Sequence, residues 1–259
     1  MEGRARTRYQ CTSLRDVLSS RQYSRCEPYR PGVLYSVIES HVSRGAPIEL
    51  FGLWGIGERP SAGLPDRAAC EQFQRLLEDI AACYPPGAKA SFVIATGHGR
   101  HNGYPEESID SYARDIESLM DEFTFTHSRL DELWRVLGID LGVVEETWKS
   151  SENGWWHAVP NADDLEARAS KHNRRLPARM AAQQYVVMRR LELEGLERLC
   201  GSRVFHTYSD EGDRHLFPMV PVLHLHSIRR GTAHPPWFMD DETARDRLGT
   251  GSRDDTRAA

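Results

Sequence analysis

Between Pro47 and Gly103 two apolar runs are each followed at once by a glycine-bearing polar loop, and this pattern limits the possible folds more than any other stretch. The first run is Pro47-Ile-Glu-Leu-Phe-Gly-Leu-Trp-Gly-Ile-Gly57, leading into Glu58-Arg59-Pro60 and Ser61-Ala-Gly-Leu-Pro-Asp66. The second is Ala90-Ser-Phe-Val-Ile-Ala95, leading into Thr96-Gly-His-Gly-Arg-His-Asn-Gly103. Between them, Cys70, Phe73, Leu76, Leu77, Ile80 and Cys83 recur at helical spacing in Arg67 to Tyr84. Strand, loop, helix, strand, loop is a crossover unit, which makes its two strands parallel and puts both loops at one edge of the sheet. Ligands of open α/β sheets bind at that edge.

The rest of the chain agrees with one α/β domain over residues 1–259, a Rossmann-like, mostly parallel sheet flanked by helices. Residues 1–10 and 242–259 are polar and unpatterned, which predicts frayed ends, with a short helix at Ser13–Ser19. Pro31 in a first turn and Gly45 as a stop bound a helix over Gly32–Ser43. Pro105-Glu-Glu-Ser opens an amphipathic helix through Phe123 with Ile109, Tyr112, Ile116, Leu119 and Met120 inward, and a short helix covers Leu130–Leu137. Residues 138–176, with Trp148, Trp155 and Trp156, read as a helical insertion. A long helix follows over Ala178–Leu199, then strands at Arg203–Tyr208 and Val220–Ile228 joined by the polar turn Ser209–Arg214.

Composition narrows the function classes. The net charge of −5 comes without a basic stripe, which speaks against nucleic-acid binding. Five cysteines without regular spacing make no disulfide framework; Cys70, Cys83 and Cys200 suit buried thiols of a reducing compartment. No signal-peptide pattern follows Met1, and no apolar run approaches membrane-spanning length, so a soluble cytoplasmic protein is expected.

Chemistry concentrates in the second loop. Gly97, Gly99 and Gly103 free backbone N–H groups to face an anion, Arg100 carries a donor fork for phosphate or carboxylate, and Asn102 adds polar capacity. His98 and His101 titrate near neutrality, as general acid–base groups must. The bland alternative is a surface turn. His206 and Tyr208 alternate on a later strand that feeds a polar loop and form a second candidate pair. His224 and His226 share a strand face, and His98 and His101 form an HxxH; neither pair has a carboxylate or cysteine at ligand spacing, so no metal is expected. Gly52-Leu-Trp-Gly-Ile-Gly57 has GxxGxG spacing, and Arg59-Pro60 stand where a helix should begin, which excludes a classical dinucleotide site. The tryptophans, with Trp237-Phe238, serve either core packing or the wall of a pocket for a planar substrate.

With these residues laid out, the chain resembles the isonitrile (isocyanide) synthase family, which includes the fungal spore-wall dityrosine enzyme. The likeness rests on Leu64-Pro-Asp66 before a helix with Glu71, Leu76 and Leu77; on Tyr84-Pro-Pro-Gly-Ala88; and on an apolar strand with a Gly-His loop. It continues through Ala182, Tyr185 and Arg189, then Val204-Phe-His-Thr-Tyr208, then Pro235-Pro-Trp237, all in the family's order. The resemblance implies a Rossmann-like fold and a biosynthetic transferase of secondary metabolism. The family converts the α-amino group of tyrosine or tryptophan to an isonitrile, without a metal or bound cofactor, with ribulose 5-phosphate as carbon-donating co-substrate. Under that resemblance Arg100 and the 97–103 backbone would receive the phosphate, and His98, Asp66 and His206 would move protons. Arg59 or Arg229 would hold the amino-acid carboxylate. The chain departs from the family where a first-loop lysine is usual, reading Gly57-Glu-Arg-Pro60, and where Ser-Asp-Gly-His is usual, reading Ala95-Thr-Gly-His98. It departs again where a strand motif ends in Ile-His, reading Phe205-His-Thr-Tyr208.

Two other classes stand beside this one. A Rossmann-like S-adenosylmethionine-dependent transferase or cyclase would use the same scaffold, though the GxGxG turn is missing and no acid directly follows the strand ending at Ala95. A non-catalytic partner in a biosynthetic assembly would keep the scaffold alone.

Overall fold

The computed structural model describes residues 2–24, 30–56, 61–138, 140, 142, 146, 162–163, 165–167, 176–183, 186, 202–207 and 222–225. Among the described residues the main elements follow in the order α1 (Glu2–Ser19), α2 (Pro31–Arg44), β1 (Ile48–Trp54), α3 (Leu64–Cys83), β2 (Ala88–Ile94), α4 (Thr96–His101), α5 (Glu106–Glu122), β3 (Thr126–Arg129), α6 (Leu130–Leu137), β4 (Val204–Thr207) and β5 (Val222–His224). The strands form one sheet in the order β3-β2-β1-β4-β5, and each neighbouring pair is parallel. This is the expected α/β, Rossmann-like arrangement. The chain builds outward from β1 through β2 to β3, then returns to the other side of β1 for β4 and β5. The strand order reverses between β1 and β4, and parallel sheets bind ligands beyond the C-terminal strand ends at such a reversal.

Alternation along the strands sorts the core into two layers. On one face lie Ile48, Leu50 and Trp54 of β1, Ala90, Phe92 and Ile94 of β2, Val204 of β4 and Leu223 of β5. Against this face pack Cys70, Phe73, Leu76 and Ile80 of α3, Tyr112, Ile116 and Met120 of α5, and residues of α1 and α2. Phe92 sits at the centre, its ring edge-on to Trp54 at 5.5 Å and to Phe73 at 4.9 Å. On the other face Phe51 and Phe205 meet at 6.0 Å.

Local chemistry accounts for the ends of α2 and the start of α3. α2 starts on Pro31 and stops where Gly45 turns left-handed at φ 64°, its N–H returning to Val42 O at 3.1 Å. α3 starts after Gly63, whose N–H is accepted by Asp66 Oδ2 at 2.8 Å, so the carboxylate of the first turn reaches back to an orphan donor. All five residues expected inward on α5 are buried.

The structure differs from the sequence reading in four places. α1 reaches back to Glu2, where a frayed end was expected; its buried positions are Cys11, Leu14 and Leu18. β3 is an edge strand of polar residues, Thr-His-Ser-Arg, that no hydrophobic pattern marks. Residues 96–101 form a short helix and not an open loop. β4 and β5 run parallel, a geometry that a tight turn cannot connect. Residues 178–183 and 186 are helical, as expected for the long helix. The body of the expected insertion, its three tryptophans, Cys200, His226 and Trp237-Phe238 lie outside the described residues. Among the described residues no helix is long and apolar enough to cross a membrane.

Candidate functional site

The two corners read from the sequence meet above adjacent strands. β1 and β2 pair from Ile48↔Ala88 to Trp54↔Ile94, and the pairing runs on past the strand ends, with Ala95 N–H donating to Trp54 O at 2.9 Å. Ile56, just beyond β1, then packs against Gly99 of α4, where an added Cβ would lie 3.4 Å from Ile56 Cγ2. The candidate site is this edge: residues 55–56, the N-terminus of α3, α4 and the end of β4.

α4 carries five of the expected site residues and is positioned by α6. Gly97 lies so close to the Trp134 indole that an added Cβ would come within 2.5 Å of Cζ3. The His98 ring, half-buried, faces the same indole at 5.8 Å. Thr96 Oγ1 donates to Asp131 Oδ1, and Arg100 Nη1 lies 2.9 Å from Asp131 Oδ2. Arg100 Nε donates to Glu106 Oε1 at 2.6 Å. Gly97 and Gly99 therefore serve close helix packing, and the anion-facing open loop gives way to a helix clasped by its neighbours. Arg100 is taken up by Glu106 and Asp131, with Asp110 a third carboxylate at 4.0 Å, so a phosphate reaching it would have to displace one of its two close partners. Asn102 caps the helix, its N–H returning to His98 O at 2.9 Å, and His101 lies on the helix.

The electrostatics of this corner are mixed. Burial works to raise the Asp131 carboxyl, but hydrogen bonds from Thr96 and Arg100 outweigh it and hold the group below the ordinary carboxylate range. The hydrogen bond to Glu106 raises the Arg100 guanidinium against a smaller opposing effect of burial. A second arginine, Arg129 at the end of β3, donates to Glu117 at 2.6 Å and to Asp110 at 3.2 Å.

Two of the three residues expected to move protons belong to the interior. His206 is fully buried, opposite Gly52 in the β1–β4 register, and its ring fills the space that a Cβ at Gly52 would take, 2.1 Å from Cε1. Phe73 and Phe92 close over it at 4.6 Å and 5.1 Å. Burial pushes its pKa down to about 3, so the imidazole is neutral across the physiological range and is not a group poised to exchange protons there. Asp66 is also fully buried; besides capping α3 it accepts from Tyr112 Oη at 2.6 Å, and Tyr112 in turn accepts from Trp54 Nε1 at 3.2 Å. The chain Trp54–Tyr112–Asp66 ties β1, α5 and α3 together. Arg59, Tyr208 and Arg229 lie outside the described residues. Among the described residues no group of three or more His, Cys, Asp or Glu side chains is arranged to hold a metal.

The chain resembles the PvcA protein from Pseudomonas aeruginosa. The match covers 88% of this chain and 87% of PvcA, with a TM-score of 0.61 at 15% sequence identity. At that identity the PvcA likeness concerns the fold. No protein-family model and no curated protein sequence matches the chain.

Sequence reasoning missed Asp131 and Trp134. Leu130-Asp-Glu-Leu-Trp134 reads as an ordinary amphipathic helix start, and only the tertiary placement of α6 beside α4 gives these residues a task.

Proposed function

We propose that this protein is a biosynthetic enzyme that modifies the amino group of a free amino acid, in the manner of the isonitrile synthases it resembles in sequence motifs. The supporting observation is that the two predicted corners do meet over neighbouring parallel strands, beside the strand-order reversal, with the motif residues in the order the resemblance requires. The co-substrate in this reading is ribulose 5-phosphate: the amine condenses with its C2 carbonyl and water leaves, then the C1–C2 and C2–C3 bonds break. C2 stays on nitrogen, while C1 leaves as formaldehyde, C3–C5 as a three-carbon hydroxyketone and the phosphate as inorganic phosphate, with no net oxidation. His98 is the proton-transfer group of the reading, since it alone of the three candidates is not sealed in the core. Arg100 receives the phosphate by exchanging a carboxylate partner, Asn102 and the 97–103 backbone line that side, and Arg59, Tyr208 and Arg229 complete the amino-acid subsite.

The test is incubation of the full chain with isotopically labelled ribulose 5-phosphate and a panel of amino acids led by tyrosine and tryptophan. Mass spectrometry should find a product one labelled carbon heavier and two hydrogens lighter than the amino acid. No product from any common amino acid would remove the activity and leave the fold. Thermal shift separates the main competitor: stabilisation by S-adenosylmethionine and not by ribulose 5-phosphate would favour an S-adenosylmethionine-dependent transferase or cyclase. Unchanged product formation in the producing cell after His98→Ala would point to a non-catalytic partner.

A further inference from the structure

Two residues of α6, Asp131 and Trp134, stand one helical turn apart and share the face that meets α4. Asp131 uses one oxygen for Thr96 and the other for Arg100, which are themselves one turn apart on α4 with His98 between them. Trp134, 2% exposed, lies against Gly97 and the His98 ring. Its indole N–H meets no acceptor among the described residues, so at this contact the indole serves as an aromatic surface. We propose that Asp131 and Trp134 are positioning residues that set the place and orientation of the His98 imidazole at the sheet edge. The inference rests on the functional reading above for its consequence in catalysis, but not for its geometry. Thr96 and Arg100 flank His98 on either side, so a single carboxylate stops α4 from sliding or rotating. The absence of a side chain at Gly97 lets the indole come close enough to fix the imidazole from the side. A displacement of about 1 Å in such a group can cost about 100-fold in rate.

The experiment compares Trp134→Leu, Trp134→Phe, Asp131→Ala and Asp131→Asn with the exposed control Val136→Ser on the same helix. The first readout is the position of the His98 ring-proton resonances, assigned through a His98→Gln spectrum. An indole at this distance shifts them, so Trp134→Leu should move them, Asp131→Ala should move or broaden them, and Val136→Ser should leave them in place. The second readout is turnover of whichever amino acid the mass-spectrometric assay identifies. Trp134→Leu and Asp131→Ala should lower kcat about tenfold or more with little change in KM, and Trp134→Phe should recover most of it. Unmoved His98 resonances in folded Trp134→Leu and Asp131→Asn overturn the brace whatever the reaction proves to be. Moved resonances with unchanged kcat overturn its catalytic consequence. Moved resonances in a protein whose wild type forms no product leave the brace standing and remove the proposed function instead.

Discussion

Two glycines in this molecule each make room for a ring from a neighbouring element, and their surroundings could hardly differ more. Gly52 lies mid-strand and admits His206 into a sealed aromatic layer between Phe73 and Phe92. Gly97 lies just past a strand end and admits Trp134 to a corner where Asp131, Arg100 and Glu106 are partly solvated. One histidine beside each glycine was a reasonable candidate for acid–base work. The difference lies in which side of the strand end each histidine falls on: His206, inside the ladder, is sealed among aromatic rings, and His98, beyond it, is half-buried at the corner.

The largest effects belong to the sealed seam. Gly52→Ala puts a Cβ 2.1 Å from His206 Cε1, with no flexible chain end to yield, and should destabilise the fold by about 3 kcal/mol, the upper range for overpacking. Chemical denaturation measures this, and a double-mutant cycle with His206→Ala should return a coupling of about 1 kcal/mol or more, since the smaller residue vacates the contested space. An additive cycle would mean that the two positions do not compete. Gly97→Ala, with its Cβ 2.5 Å from Trp134 Cζ3, should cost less, about 1–2 kcal/mol, because the contact lies at the edge of the fold and not in the middle of the sheet. If Gly97→Ala proves the more damaging, the ranking of seam over corner is reversed.

Acid should act on the same seam. His206 has a folded pKa depressed by burial to about 3, against an ordinary value of 6.5, so the unfolded chain binds a proton that the folded chain refuses. Its contribution is intact above pH 6.5 and is lost progressively as the pH falls from there towards about 3. Between pH 7 and pH 5 the loss should be about 2 kcal/mol, read as the difference in pH slope between wild type and His206→Leu. Equal slopes would place the imidazole in a more polar setting than the Phe73–Phe92 contacts describe.

How much was legible beforehand follows the same division. α2 and α5 could be read because Pro31, Gly45 and the Ile109–Tyr112–Ile116–Met120 stripe act locally. The parallel pairing of β1 with β2 followed from the helix between them. β3 could not be read, because an edge strand of Thr, His, Ser and Arg carries no apolar alternation. α4 could not either: two glycines in six residues argue against a helix, and what holds it, Asp131 and Trp134, comes from a later element. The burial of His206 depended on its β4 register with Gly52, a pairing of residues far apart in the chain that no local pattern announces. The meeting of the two corners at the edge beyond β1 and β2 was thus legible, and the surroundings of the side chains there only partly.

The smallest structural effect sharpens the functional side of the comparison. Glu106 is more than half exposed, so its pairing with Arg100 is screened by solvent and Glu106→Gln should change stability by less than about 1 kcal/mol. Asp131 still holds one guanidinium nitrogen in that variant, so α4 should stay in place, while Nε loses its carboxylate acceptor and Nη2 keeps only the more distant Asp110 at 4.0 Å. If Arg100 receives a phosphate, removing this competing carboxylate should tighten binding of inorganic phosphate and of ribulose 5-phosphate severalfold, most clearly at low salt. Isothermal titration of wild type, Glu106→Gln and Arg100→Gln measures it, and the gain should vanish in Glu106→Gln/Arg100→Gln. Equal affinities in all of them would make Arg100 a purely structural partner of Asp131 and Glu106, and would move the anion subsite away from α4 altogether.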